Sequence, residues 1–150
     1  MVKKDDTIVL DGTHLMLDTF GCDQEALADE EKIRTFLSEL PDALGMKKLI
    51  EPLIVSYPGG DTWDRGGITG IMLIAESHIS IHTFPHDGFF TADVYSCKPF
   101  NINKALDLFR AYFQGRDEKI KIAKRELEFV RTKNLAVLLN TSKAKIRAKA

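Results

Sequence analysis

The sequence predicts an α+β fold, a two-layer sandwich in which one mainly antiparallel sheet carries helices on one face. Two observations support it. Segments of strand and helix periodicity follow one another in the order β-α-β-β-β-β-α-β, and the central strands are joined by short turns. The chain has 150 residues, enough for one domain with a core. Two helices leave one sheet face uncovered, so we expect a partner subunit or a ligand to cover it.

The chain begins with a strand and a helix. Residues 7–20 alternate partly between apolar and polar side chains and predict the first strand, with an interruption near Gly12. Asp23 is a candidate N-cap for a helix whose apolar spacing continues to residue 40. Pro41 is expected to end this helix or to begin a new turn.

A second strand and a glycine-rich loop follow. Residues 47–57 predict the strand, and Pro52 favours an edge position or a bulge. Residues 58–67 predict a loop by their glycine, proline and aspartate content. The single tryptophan, Trp63, lies in this loop, so a binding role is as well supported as a place in the core.

Four more elements complete the predicted domain. Residues 68–76, 78–84 and 89–97 predict strands, and the Pro-His-Asp-Gly sequence between the last two predicts a hairpin. Asn101 or Asn103 caps a second helix that ends at Gly115, and residues 119–130 predict a sixth strand.

Charge divides the chain unevenly. The last 20 residues hold six basic and no acidic side chains, so against a formal net charge of −1 the first 130 carry −7. We therefore predict a domain over residues 1–130 and a basic C-terminal tail over 131–150, more typical of a solvated terminus than of a nucleic-acid site. An acidic domain argues against a nucleic-acid partner.

The cysteine count and the apolar runs indicate a compartment. Cys22 and Cys97 are too few for a secreted disulfide framework. The N-terminal residues lack the apolar core of a signal peptide, and every apolar run is short of a membrane span. We expect a cytoplasmic protein with reduced thiols and no membrane partner.

The histidines at the centre of the chain do not predict a metal site. On the strand 78–84, His78, Ser80 and His82 share the face opposite the apolar side chains. This alternation is typical of a half-buried strand. The two histidines lie about 13 Å apart, too far for one zinc ion, and Cys97 adds no metal-like spacing. We predict no metal.

Two reactions could use the serine and cysteine at the centre. A hydrolase built on Ser77 or Cys97 is disfavoured, because the sequence has neither a nucleophile elbow nor a cysteine-protease signature. The Glu76-Ser77 bond could instead cleave itself through attack of the serine hydroxyl on the preceding carbonyl carbon. That chemistry needs a distorted peptide and a nearby base.

The segment 76–85, Glu-Ser-His-Ile-Ser-Ile-His-Thr-Phe-Pro, resembles the self-cleavage segment of the small bacterial and archaeal S-adenosylmethionine decarboxylases. Cys97 also follows Ser77 by twenty residues, the spacing of that family, and residues 93–97 look like its strand into that cysteine. More weakly, the likeness spans most of residues 7–130. The family is pyruvoyl-dependent and makes this cofactor from an internal serine.

The resemblance implies a role for each matching residue. Cleavage falls between Glu76 and Ser77, and Ser77 becomes the pyruvoyl group. His82 is the base or orienting group for ester breakdown, and Cys97 donates the proton to the substrate after carbon dioxide leaves. Thr69 stands where family members often carry a serine that assists processing, so the hydroxyl is kept but the match is inexact.

The implied function is that of an S-adenosylmethionine decarboxylase proenzyme, which supplies decarboxylated S-adenosylmethionine for spermidine synthesis. The resemblance also implies a homodimer of cleaved protomers acting on a small molecule. Two alternatives stay open. One is a pyruvoyl-dependent arginine or ornithine decarboxylase on the same scaffold, and the other is an unprocessed, non-enzymatic relative that acts as a binding subunit.

The loop and its neighbours supply candidate substrate-binding residues. A sulfonium cation and an adenine ring suit aromatic faces, whereas an arginine or ornithine side chain suits carboxylates. The aromatic candidates are Tyr57, Trp63 and Phe20, and the acidic candidates are Asp64, Asp61 and Asp18.

The relative placement of the catalytic candidates depends on strand geometry. In an unbroken strand Ser77 and His82 would face opposite sides, and the side that Cys97 faces depends on the hairpin register. A turn or a break at residues 77–78 would resolve this.

Overall fold

A computed structural model of the protein describes residues 7–139. Its strands form one antiparallel sheet in the order β2-β3-β4-β5-β1-β6-β7. The strands are β1 (Thr7–Phe20), β2 (Leu53–Tyr57), β3 (Gly67–Ile74), β4 (Ser77–Phe84), β5 (Phe89–Ser96), β6 (Asp117–Arg131) and β7 (Ala136–Leu138).

The helices pack against one face of this sheet. They are α1 (Gln24–Ala28), α2 (Glu30–Leu44) and α3 (Ile102–Phe113). Alternate residues of the central strands, such as Ile79 and Ile81 of β4, are fully buried beneath them, and Phe36 of α2 meets Phe109 of α3 at a ring-centroid distance of 4.7 Å. The opposite face carries no helix in the described part of the chain. The predicted two-layer α+β sandwich is confirmed.

The predicted helix from residue 23 to 40 is in fact two helices. The backbone of Asp29 is extended, and its carboxylate accepts the N–H of Lys32 at 3.0 Å, so a new helix begins there. Pro41 does not end α2 but is buried inside it, and the helix ends at Gly45, which adopts the left-handed conformation. Apolar burial of the proline ring offsets the hydrogen bond that it cannot donate.

Two differences concern the sheet edges. The second strand begins at Leu53 rather than at residue 47, directly after Pro52, and it is an edge strand. At the other edge β7 pairs with the end of β6, inside the segment predicted as a basic tail. Residues 140–150 of that tail lie outside the described residues. Within residues 7–139, no helix is long and apolar enough to cross a membrane.

Candidate functional site

Ser77 is the first residue of β4 and directly follows a turn, so the strand is interrupted just before residue 77 rather than at residues 77–78. Ile74 and Ser77 are paired across β3 and β4, so Ala75 and Glu76 form a two-residue connection. The φ angle of Ser77 is 151°, a value that non-glycine residues rarely adopt. Such a conformation costs about 1–3 kcal/mol and is concentrated at functional sites. The backbone is thus distorted at the residue where self-cleavage would require it.

The carbonyl group before Ser77 is held by an amide from another strand end. The N–H of Cys97 donates to the carbonyl oxygen of Glu76 at an N···O distance of 2.8 Å. This contact follows from the register, since Ser77 pairs with Ser96 and Cys97 is the next residue. A donor in this position stabilises negative charge that develops on the oxygen when the carbonyl carbon is attacked.

The two thiols have different environments. Cys22 is buried, its thiol donates to the carbonyl of Thr19, and burial together with the nearby charge of Glu118 raises its pKa to about 11. Cys97 is partly exposed and adjoins the Glu76–Ser77 junction. Cys97 is therefore the thiol that a reacting molecule could reach.

His82 and Thr69 form a second group on the helix-free face. They are paired across β3 and β4, and the Nδ1 atom of His82 lies 3.1 Å from the hydroxyl oxygen of Thr69. His82 is exposed on strand β4, where its neighbours Ile81 and Thr83 are buried. Among residues 7–139, no three histidine, cysteine or acidic side chains are arranged to hold a metal ion.

The structure separates these two groups within one chain. Ser77 and His82 are five residues apart on one strand, which corresponds to about 16 Å. Glu76, Ser77 and Cys97 therefore lie at one end of β4, and Thr69 and His82 lie towards the other.

The substrate-binding candidates gather at the His82 end. Tyr57 and Asp64 line the same cavity as Thr69 and His82. Trp63, which is 93% exposed, lines a neighbouring cavity together with Phe84 and Phe89. Phe20 stacks on Phe89 at a centroid distance of 4.9 Å.

The loop carboxylates are bonded to the loop itself. Asp61 Oδ1 accepts the N–H groups of Trp63 and Asp64 at 2.8 and 2.7 Å, and Asp64 Oδ1 accepts that of Gly66 at 3.0 Å. These bonds shape the loop, so both acids have a structural role. Asp18 lies apart from them on β1, paired with Thr91.

Sequence reasoning missed Phe84 and Phe89. Their rings stack at a centroid distance of 4.4 Å across the β4–β5 hairpin, and Phe84 lines both of the cavities just described. The signal was present in the alternation, since Phe84 lies two residues beyond His82 and hence on the same face.

The S-adenosylmethionine decarboxylase family matches residues 13–126 of this chain. The chain belongs to this family. The match covers every strand from β1 to β5 in whole or in large part and ends within β6. The resemblance found in the sequence is confirmed.

Relatives of the family are similar over most of the chain. An S-adenosylmethionine decarboxylase proenzyme from Pyrococcus furiosus is 32% identical over 118 residues, 78% of this chain and 80% of the relative. A proenzyme of the same name from Archaeoglobus fulgidus is 34% identical over 104 residues, which are 69% of this chain and 87% of the relative. The solved adenosylmethionine decarboxylase of Aquifex aeolicus is 27% identical with a TM-score of 0.65, over 77% of this chain and 91% of that one.

Proposed function

We propose that this chain is a self-processing S-adenosylmethionine decarboxylase, which cleaves itself between Glu76 and Ser77 and so acquires a pyruvoyl group. The junction itself carries the proposal, because a serine with a φ of 151° follows a carbonyl that accepts the Cys97 N–H at 2.8 Å. The names of the relatives, which are proenzymes, support maturation by cleavage.

Maturation begins with attack of the Ser77 hydroxyl oxygen on the carbonyl carbon of Glu76. A C–O bond forms, the C–N bond breaks, and the serine hydroxyl proton is transferred to the leaving Ser77 nitrogen, which becomes a free amino group. The amide is thereby turned into an ester, while the Cys97 N–H stabilises the charge on the carbonyl oxygen. Loss of the Ser77 α-proton then expels the Glu76 carboxylate and leaves a dehydroalanine. Its imine form takes up water and releases ammonia, which yields the pyruvoyl group at residue 77.

The residues around position 77 fit such a group. When present, a pyruvoyl group would supply an electron sink for decarboxylation of a substrate that carries an amino group. The role of this chain's own residues is to hold a proton and deliver it to the substrate. The thiol of Cys97 is partly exposed and lies beside the junction, so it is placed to protonate the substrate carbon after carbon dioxide leaves.

His82 must reach Ser77 from a second copy of the chain, because about 16 Å separates the two residues on one strand. An isologous homodimer formed through the helix-free faces would bring opposite ends of two sheets together in pairs. Leu53, Val55 and Leu73, on this face, are 57%, 54% and 40% exposed, and a partner would cover them. In this arrangement His82 of the partner subunit serves the Ser77 junction.

The His82 end favours S-adenosylmethionine over arginine or ornithine. Exposed aromatic faces at Trp63, Tyr57 and Phe20 suit a sulfonium cation and an adenine ring. Asp61 and Asp64 are bonded to backbone N–H groups of their own loop, which leaves them less available to a guanidinium or ammonium group.

Intact-mass analysis and a carbon dioxide assay test the proposal together. We expect two chains, 1–76 and 77–150, the second with a blocked N-terminus, and carbon dioxide release from S-adenosylmethionine. The same assay is run with L-arginine and L-ornithine. A single uncut chain without ketone reactivity would overturn the proposal and favour a binding subunit. Release from arginine or ornithine alone would overturn the substrate while leaving the cleavage intact.

A further inference from the structure

A short segment outside the regular strands lies against the cleavage turn. Residues 47–49, which we name the clamp segment, precede β2 and lie beside the end of β3. The contacts are from Leu49 N–H to the Leu73 carbonyl at 2.9 Å, a bridge between Lys48 and Ile74, and from Ala75 N–H to the Lys47 carbonyl at 2.8 Å. The clamp segment therefore lines the turn up to the residue before Glu76.

The side chain of Glu76 completes this contact. Its Oε2 atom accepts the backbone N–H of Lys47 at 3.1 Å, while its carbonyl oxygen accepts the N–H of Cys97 at 2.8 Å. Two amides from separate parts of the chain thus hold one residue, one through its carboxylate and one through its carbonyl. The orientation of the scissile carbonyl depends on both.

The clamp segment is itself fixed to the helix layer. The ammonium group of Lys48 lies 2.7 Å from a carboxylate oxygen of Asp42 and donates to the carbonyl of Ser38 at 3.2 Å, both on α2. Met46, just before the segment, is buried, and its N–H donates to the Pro41 carbonyl at 2.9 Å. The position of Lys47 is therefore set by the folded core.

We propose that the Glu76 side chain is a positioning residue for the first step of self-cleavage. Its bond to Lys47 limits rotation of Glu76, so that the carbonyl carbon stays in front of the Ser77 hydroxyl while the oxygen stays at the Cys97 N–H. Small misplacements of reacting atoms cost large factors in rate. This inference rests on the proposed function, and adds to it a role for a side chain rather than for the peptide bond alone.

The test compares Glu76→Ala with Glu76→Gln, which keeps an oxygen acceptor for the Lys47 N–H. Each chain is made by cell-free synthesis, and cleavage is followed over time on denaturing gels. Loss of one charge-assisted hydrogen bond should slow Glu76→Ala by about ten- to a hundredfold, and the glutamine should recover most of the rate. Lys48→Met should slow cleavage less, because it acts only through the clamp segment.

The matched control is Glu51→Ala. Glu51 is an exposed acid two residues beyond the clamp segment, and its side chain makes no hydrogen bond within residues 7–139. The Glu51→Ala chain should cleave itself at the same rate as the parent chain. Thermal unfolding of Ser77→Ala chains with and without Glu76→Ala shows whether the fold is kept.

Hydroxylamine, which splits esters, identifies the affected step. We expect hydroxylamine to increase the cleaved fraction of the Glu76→Ala chain only slightly, because little ester has formed in it. An accumulated ester in Glu76→Ala would place its role after the first step and overturn the proposal, as would cleavage at the parent rate. A parent chain that never cleaves would defeat the proposed function instead, so the two failures are distinguishable.

Discussion

The two ends of β4 differ in the groups that make their contacts. At the Ser77 end the contacts come from the backbone, since the N–H groups of Cys97 and Lys47 hold Glu76 on two sides. At the His82 end they come from side chains: the hydroxyl of Thr69, the exposed ring of Trp63 and the stacked phenylalanines.

The difference indicates that the two ends of β4 have different functions. The backbone N–H donors at the Ser77 end are placed by the folded chain, and only the Glu76 carboxylate that accepts one of them belongs to a side chain. Exposed side chains around cavities can adapt to a bound molecule. Because the ends are about 16 Å apart on one strand, we propose that they act together only across two protomers.

A mixed dimer tests most directly whether the two ends of β4 act together across two protomers. Ser77→Ala and His82→Ala chains with different tags are expressed alone and together. We expect no cleavage of the first and, for the second, cleavage slowed by about 10²–10⁴-fold, the usual contribution of an acid or base. In the mixture the His82→Ala chain should be cleaved faster, with help from His82 of the partner subunit. An unchanged rate would show that both residues act within one chain.

A substitution at Cys97 distinguishes the contribution of its backbone N–H to cleavage from that of its thiol to decarboxylation. Cys97→Ala keeps the N–H that bonds the Glu76 carbonyl, so we expect cleavage to proceed. Loss of the thiol should lower the rate of decarboxylation by about 10²–10⁴-fold. Cys22→Ala, at the buried thiol, serves as the control for activity. Normal turnover by a cleaved Cys97→Ala enzyme would remove the thiol from its proposed role.

The loop residues Trp63 and Asp64, which lie at the His82 end, are expected to affect binding of the substrate rather than cleavage. Trp63→Ala should raise KM for S-adenosylmethionine by roughly two- to thirtyfold, the value of a cation–π contact of roughly 0.5–2 kcal/mol, and leave cleavage unchanged. Asp64→Asn should have a smaller effect, because asparagine keeps an oxygen for the Gly66 N–H. The reverse order would favour recognition of a basic amino acid by the carboxylates.

The smallest effect is expected from an ion pair between α3 and β6. The Arg110 guanidinium bonds both carboxylate oxygens of Glu118 at 2.9 and 2.8 Å and lowers the pKa of that carboxyl. Its stabilising contribution is complete above the ordinary glutamate pKa of about 4.3 and is lost as the pH falls through the lower folded-state pKa.

Arg110→Ala should therefore lower the free energy of unfolding at pH 7 by at most about 1 kcal/mol, because the Arg110 side chain is about half exposed and solvent screens the pair. The difference from the parent chain should shrink in denaturant titrations at about pH 3, below the ordinary glutamate pKa of about 4.3. Cleavage and turnover at pH 7 should stay unchanged. A change in either would mean that the helix layer influences one of the two ends.

Local patterns predicted the architecture but not the distances. Alternation over residues 78–84 and the turn after Phe84 correctly gave a hairpin, because side-chain period and turn chemistry are local properties. The break at Asp29 was missed, since an aspartate that restarts a helix looks like any polar surface residue. The contact of Lys47 with Glu76 joins residues 29 positions apart, and no local pattern encodes it.

The roles of Ser77, His82 and Cys97 stay predictions, but the structure gives the placement of these residues, which the sequence did not. The sequence left the relative placement of Ser77, His82 and Cys97 open, because it depended on a break in the strand and on the hairpin register. The register brings the Cys97 N–H to the Glu76 carbonyl, whereas His82 lies five residues along β4 from Ser77. Register is set by pairing across strands, and a one-residue slip would have reversed the arrangement.

The strand order has a consequence for the proposed cut. The piece before residue 77 would contribute β2, β3 and β1, and the piece after it β4, β5, β6 and β7, so that strands from the two pieces interleave in the sheet as β2-β3, β4-β5, β1 and β6-β7. Neither piece contains the whole core. The distorted Ser77 depends on neighbours from both pieces, so under the proposed function the chain would have to fold before it could cut itself. Afterwards the two pieces would hold each other in place without a covalent link.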